Sequence, residues 1–330
     1  QPSGEFEGEH VDIEDVFVGA MHAQMGRMSM DKIIGMSRNA IRGPGVCSGM
    51  GTANSMHICC EALGMALPGT TPVAANSEAM FDAARRAGKR IVEMVWEDLK
   101  PRDILTPSAF ENAVKTILSV GGSVNSIKHL QAVATEANCS ADVYGMFEKF
   151  SHDVPVLTSV RPVGEHVIEV FDRAGGAQAV MKQLESMLDT STMTITGKSL
   201  AENLKNYQVV DEEVIRPIDR PISTRPAIMM LRGSLAPEYG IIKTGIVKRK
   251  TQKFSGPAVC FPTSDAALVA LQDGTIKKGR DIDKSGAHTK GENKTSIGIC
   301  YCGGVEADGK TPKDTRTESQ KESLLHVLKT

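Results

Sequence analysis

Gly43-Pro44-Gly45-Val46-Cys47-Ser48-Gly49-Met50-Gly51-Thr52-Ala53-Asn54-Ser55-Met56 sets one cysteine in a glycine-rich loop that runs straight into a helix. Free amides at a helix start, and the positive end of its dipole, favour a thiolate there. The glycines let the backbone close on a bulky inorganic group and donate N–H bonds to its sulfurs. On the residues alone two readings stand: an anion site or activated thiol at Cys47, or a buried structural cysteine. Thr52 is placed to cap the helix, which should end near Gly64, before the Pro68-Gly69 turn.

Outward from this loop the pattern is helical. Residues 11–40 space Val16, Phe17, Ala20, Met21 and Met25 so that they share one face. Downstream, a long helix is expected over 77–99, with Met80, Ala84, Ile91, Val95 and Leu99 at helical spacing and Pro101 beyond its end. Thr106-Pro107, a capping hydroxyl followed by proline, starts another that runs to about Leu118. Further helices are expected near 126–137, 142–150, 167–173 and 177–188, with a strand candidate at 156–160. The alternation predicts a layered α/β domain over 1–216.

Prolines 217, 221 and 226 mark a linker over 217–226. Short β-like runs follow at 227–231, 241–247 and 257–261, the start of a β-rich, barrel-like domain over 227–280. Residues 281–330 are polar, lysine-rich and aperiodic, a divergent tail expected to be poorly ordered.

Composition narrows the function. A formal net charge of −2 over 330 residues gives no reason to expect nucleic acid or an anionic membrane as partner. No apolar run approaches the ~20 residues that span a bilayer, and the start has no signal-peptide pattern. Seven cysteines, an odd number irregularly spaced, argue against a disulfide framework and for a reduced compartment. The expected location is cytoplasmic, or the mitochondrial matrix in a eukaryote. The 16 methionines read as core filler. Gln1 in place of Met, before the loop-like residues 1–8, is read as an N-terminal truncation.

Other candidates have plainer readings. Cys59 and Cys60 are adjacent on a helix, about 100° apart, and poorly placed to grip one metal; Cys59 belongs with the core. Cys139 and Cys260 read as structural. Cys300-Tyr301-Cys302 lacks a second ligand pair, with only His288 near it. His57 has two readings, facing the Cys47 loop or an ordinary surface or core histidine. Gly121-Gly122-Ser123 with Asn125 can offer amides and a hydroxyl to a substrate carboxylate, or can simply cap the next helix.

The Gly-Val-Cys-Ser-Gly-Met-Gly-Thr-Ala-Asn-Ser-Met run, followed by Glu61-Ala62-Leu63-Gly64-Met65-Ala66-Leu67-Pro68-Gly69, resembles a signature of the dihydroxy-acid dehydratase family, which also contains phosphogluconate and sugar-acid dehydratases. Ala87-Gly88-Lys89-Arg90-Ile91-Val92, Phe110-Glu111-Asn112-Ala113 and Val120-Gly121-Gly122-Ser123-Val124-Asn125 are similar to it as well. So are Arg173-Ala174-Gly175-Gly176, Leu231-Arg232-Gly233-Ser234-Leu235-Ala236-Pro237 and Phe254-Ser255-Gly256-Pro257-Ala258. Each is weak alone; their collinearity from about residue 4 to 280 carries the resemblance.

The resemblance implies a hydro-lyase converting a small-molecule 2,3-dihydroxy acid to a 2-keto acid, with a [2Fe–2S] cluster on three cysteines and a nearby Mg2+. By the same carry-over Cys47 is a cluster ligand, and Ser123 and Asn125 tilt toward substrate binding. The expected assembly is a homodimer or homotetramer. Branched-chain dihydroxy acids are the first substrate reading. Sugar acids are the second, with Trp96-Glu97-Asp98-Leu99-Lys100-Pro101 weakly in their favour, and a non-catalytic remnant is the third. The family's upstream Cys-Asp-Lys motif, its further upstream cysteine and its later Asp-Gly-Arg-Phe-Ser-Gly-Gly stretch have no counterpart here. The chain alone is therefore expected to hold a cluster weakly or not at all.

Overall fold

The computed structural model describes residues 3–234, 236–244 and 261–272. Most of the run at 257–261, the tail from 281, and Cys260, His288, Cys300 and Cys302 lie outside the described residues. The chain divides into two compact units, Gln1–Val247 and Lys248–Thr330.

The first unit opens with a hairpin, β1 (Gly4–Phe6) and β2 (Glu9–Val11), then α1 (Ile13–Gln24) and α2 (Met30–Ala40). Asp12 caps α1, accepting from the Glu14 and Asp15 amides. Val11, Val16 and Ala40 make a small core here with Phe6, Ile13 and Met36. Only Val16 of the expected apolar face turns inward; Phe17 is 64% and Met21 59% exposed. Gly19 is the inward position, so close to Ile33 that a Cβ would stand 2.7 Å from its Cδ1. The helical period was right, but the expected apolar face was not: α1 turns Val16 and Gly19 inward against its neighbours.

The main body is built on α3 (Thr52–Ala62), α4 (Glu78–Trp96), α5 (Pro101–Ile104), α6 (Pro107–Ser119), α7 (Asn125–Glu136) and α8 (Val143–Phe150). Helices α9 (Ile168–Arg173), α10 (Gly176–Gln183) and α11 (Leu200–Leu204) complete it. The centre is α6, where nine of thirteen residues are buried. It packs against α3, α7, α8 and α10. Thr106 accepts from Ala109 N with Pro107 at the first helical position, as the sequence predicts.

Helices and small sheets make this an α/β chain, but the strands are few. The 156–160 segment makes isolated bridges, Val156 with Ser223 and Thr158 with Ile215, in place of a regular strand. After the prolines, β3 (Ile228–Gly233) and β4 (Ala236–Lys243) pair antiparallel. No closed barrel is present among the described residues. Tyr239 of β4 stacks on Tyr144 of α8, ring centroids 5.8 Å apart, so this hairpin belongs to the first unit. In the second unit, α12 (Ser264–Gln272) is described.

Candidate functional site

The Cys47 loop is held from three sides before α3 begins. Asn54, buried on the first turn of α3, donates to both Cys47 O and Gly49 O at 2.7 Å. Met50 N donates to Arg161 O and Ile168 N to Ser48 O, each at 2.6 Å. The N-cap is Gly51 and no side chain caps the helix. Thr52 is thus the first helical residue, and its hydroxyl is released for other partners. A Cβ on Gly51 would lie 3.0 Å from Cys47 Sγ. The half-buried thiol therefore rests against the start of α3, where glycine leaves it room.

Thr52 Oγ1 lies 3.1 Å from Ser123 Oγ and accepts from Asn125 Nδ2 at 2.9 Å. Ser123 N donates to Ser55 Oγ at 2.8 Å. Gly122 makes this approach feasible, since a Cβ there would stand 3.1 Å from Ser55 Oγ and 3.0 Å from Ile117 Cγ2. The turn at Ser123 and Asn125 is thus docked onto the helix that starts at the cysteine loop. The capping alternative holds only locally: Ser123 Oγ accepts from Asn125 N at 3.2 Å. The N-cap of α7 is Val124, without a side-chain cap.

Three further features bear on the site. Glu14 was not legible beforehand; its Oε1 would be 2.6 Å from a Cβ on Gly49. Burial, then the Asp12 charge, raises its pKa. His57 lines a cavity of about 290 Å³ with Gly45, Val46, Asn54 and Asp172. Burial lowers the His57 pKa and raises that of Asp172. Behind this cavity, buried Glu61 accepts from Gly69 N at 2.8 Å, Thr71 N at 3.0 Å and Gln178 Nε2 at 2.6 Å, and from the Thr71 hydroxyl. Gly69 and Thr71 lie within ten residues of Glu61, whereas Gln178 is 117 residues away, a contact that local sequence could not indicate.

For a cluster, Cys47 fits one ligand position, a half-buried thiol beside open backbone. The other described cysteines do not complete a set. Cys59 is sealed in the core, where burial pushes its thiol strongly up. Cys60 is exposed and Cys139 half-buried. For a divalent cation, the group of three ligand residues found among those described is His10, Asp12 and Asp15. Its carboxylates are already engaged: Asp12 caps α1, and Arg161 Nη1 bonds Asp12 Oδ2 at 3.0 Å and Asp15 Oδ2 at 2.9 Å.

Residues 2–203 match the model of the dihydroxy-acid/6-phosphogluconate dehydratase N-terminal region, and residues 213–283 that of the C-terminal region. Similar curated proteins include the dihydroxy-acid dehydratase of Methanothermobacter thermautotrophicus, 40% identical over 276 residues, covering 84% of this chain and 50% of that protein. That of Caldicellulosiruptor bescii is 40% identical over 270 residues, 81% of this chain and 49% of the relative. The chain spans about half the length of the curated relatives it matches.

Proposed function

Because the chain belongs to the dihydroxy-acid/6-phosphogluconate dehydratase family, we propose that it serves the dehydration of a 2,3-dihydroxy carboxylic acid to a 2-keto acid. The C2–H and C3–O bonds break, water leaves, and the resulting enol tautomerises to the ketone. Cys47 is one thiolate ligand of an iron–sulfur cluster, [2Fe–2S], with Mg2+ close by. When bound, the cluster supplies a Lewis acid to the departing hydroxyl. Its remaining thiolates and the Mg2+ ligands come from outside the described residues.

The observation that carries this reading is the hydrogen-bonded array that joins the cysteine loop to Ser123 and Asn125 through Thr52. Within the array, Ser123 and Asn125 orient a substrate carboxylate, while Asn54 fixes the loop that presents Cys47. Branched-chain dihydroxy acids are the first substrate reading and sugar acids the second; the relatives' names specify a dihydroxy acid. Trp96, the weak pointer to sugar acids, is exposed at the end of α4, which leaves it little weight. The protein works away from nucleic acid and membranes, in the cytoplasm or mitochondrial matrix, as a homodimer or homotetramer. Among the described residues no helix is long and apolar enough to cross a membrane.

The test is 2-keto acid release from branched dihydroxy acids and from aldonic acids, by protein carrying the full family length. Thr52→Val and Asn125→Ala should each lower kcat/KM by about 10–100-fold, the range seen when groups supporting a metal site are removed. Activity that both variants retain in full would detach the array from catalysis. Absence of keto acid from every substrate would favour the non-catalytic reading.

A further inference from the structure

Residues 4–40 form a small lobe whose core, around Val11, Val16 and Ala40, is separate from the one around α6. Helix α1 packs on α2, and α2 on the hairpin. The chain itself joins this lobe to the Cys47 loop through 41–46, and side chains make a second tie. Arg161 Nη1 donates to Asp12 Oδ2 at 3.0 Å and to Asp15 Oδ2 at 2.9 Å. Asp12 is fully buried, while Arg161 and Asp15 are partly so. An ion pair with a buried partner is screened far less than one at the surface.

Arg161 also holds the cysteine loop, with its backbone. Its carbonyl accepts from Met50 N at 2.6 Å, and its own amide donates to His166 O at 2.8 Å. From the end of the same turn, Ile168 N donates to Ser48 O at 2.6 Å. These two bonds flank Gly49. A Cβ on Gly49 would stand 3.0 Å from Arg161 O and 2.6 Å from Glu14 Oε1. Glu14 is set in turn by Asp12, whose Oδ1 accepts from the Glu14 amide at 2.8 Å. The aspartate that holds the guanidinium therefore also starts the turn of α1 that brings Glu14 over the loop. A glycine-rich loop has much backbone freedom to lose, so its shape must be imposed by bonds of this kind.

We propose that Arg161 is a positioning residue for Cys47. Its guanidinium, clipped between Asp12 and Asp15, fixes the carbonyl that takes the Met50 amide, and so keeps residues 47–50 in the shape that presents the thiol. Arg161 acts through the loop, without touching the cluster or the substrate. The proposal rests on the reading of Cys47 as a cluster ligand and deepens it. A cation held by His10, Asp12 and Asp15 would have to displace this guanidinium, a positive charge already bonded to both carboxylates.

Amide hydrogen exchange on the 330-residue chain reads the clip locally. Arg161→Ala should speed exchange of the Met50 amide by about 10-fold or more, while the Val114 amide in buried α6 keeps its rate. Asp15→Asn keeps an oxygen for the Asp12 amide but loses the charge, and should speed Met50 by about threefold or more. Arg161→Lys should stay within about threefold of the parent, because both bonds come from one nitrogen that an ammonium can replace. On the chain extended upstream through a Cys-Asp-Lys region, Arg161→Ala should release cluster iron to a chelator about 10-fold faster, with Arg161→Lys near the parent. Met50 exchange that neither Arg161→Ala nor Asp15→Asn changes overturns the proposal. Faster exchange at Met50 and Val114 together also overturns it, since the clip would then support the whole fold. Arg161→Lys as fast as Arg161→Ala does the same, as does a loosened Met50 with unchanged iron release. If Arg161→Ala does not fold, Asp15→Asn and Arg161→Lys decide. An extended parent that holds no cluster sinks the ligand reading of Cys47, while exchange at Met50 still decides the clip.

Discussion

At the residue scale, Asn54 and Glu61 show how buried polar groups shape the surroundings of Cys47. Asn54 is 2% exposed and donates to two loop carbonyls. Asn54→Ala leaves both without that donor, so it should destabilise the fold by about 1–3 kcal/mol in urea unfolding and speed proteolysis within 43–51. Glu61 is buried without a cationic neighbour bonded to it, and burial raises its pKa although four hydrogen bonds oppose the shift. Between the ordinary carboxylate pKa and that raised value, the folded state binds more protons than the unfolded one. Stability must then fall as pH rises through the window. Glu61→Gln should flatten that slope, measured as unfolding free energy against pH. It should also lower stability by about 1–3 kcal/mol at low pH, because its NH2 meets donors where a carboxyl oxygen accepted. An unchanged slope would mean that Glu61 does not set it.

At the element scale, α6 carries the core. Phe110 is fully buried there, so Phe110→Ala should cost about 3–5 kcal/mol by chemical denaturation. Thr106→Ala, which removes the cap bonded to Ala109 N, should cost about 1 kcal/mol. The punctuation of α6, Thr106-Pro107, was legible in advance and its cap bond is present; α4 and α8 were legible as helices near 77–99 and 142–150, while their capping by Ser77 and Asp142 is seen only in the structure. What periodicity could not tell is which neighbour an apolar face meets. On α4 the apolar positions Ile91 and Val95 face outward while Arg90 packs inward, because the carbonyl of Ile195 and the carboxylates of Glu93 and Glu97 satisfy its charge. The Cys47 loop was legible from its glycines. Its contacts with Arg161, Ile168 and Glu14 were not, since they join residues far apart in sequence. Thr52 was read as a cap because of its position, and the structure gives that position to Gly51, leaving the hydroxyl for Ser123 and Asn125.

At the scale of the whole molecule, a family assignment over most of the chain meets a single well-placed cysteine. The matched regions run from residue 2 to 283, and the loop at Cys47 lies well inside them. Cluster ligation needs several thiolates in a fixed geometry, and the described residues offer one that fits. Iron and sulfide counts with visible absorption, after anaerobic reconstitution, therefore test the central claim most directly. The measurement compares the 330-residue chain, a chain extended upstream through a family Cys-Asp-Lys region, and that extended chain with Cys47→Ser. Weak or no cluster is expected in the first, a brown, stoichiometric cluster in the second, and its loss in the third, because a serine hydroxyl is a poor ligand for iron at neutral pH. A stable, stoichiometric cluster in the 330-residue chain, or one that survives Cys47→Ser in the extended chain, would contradict that claim.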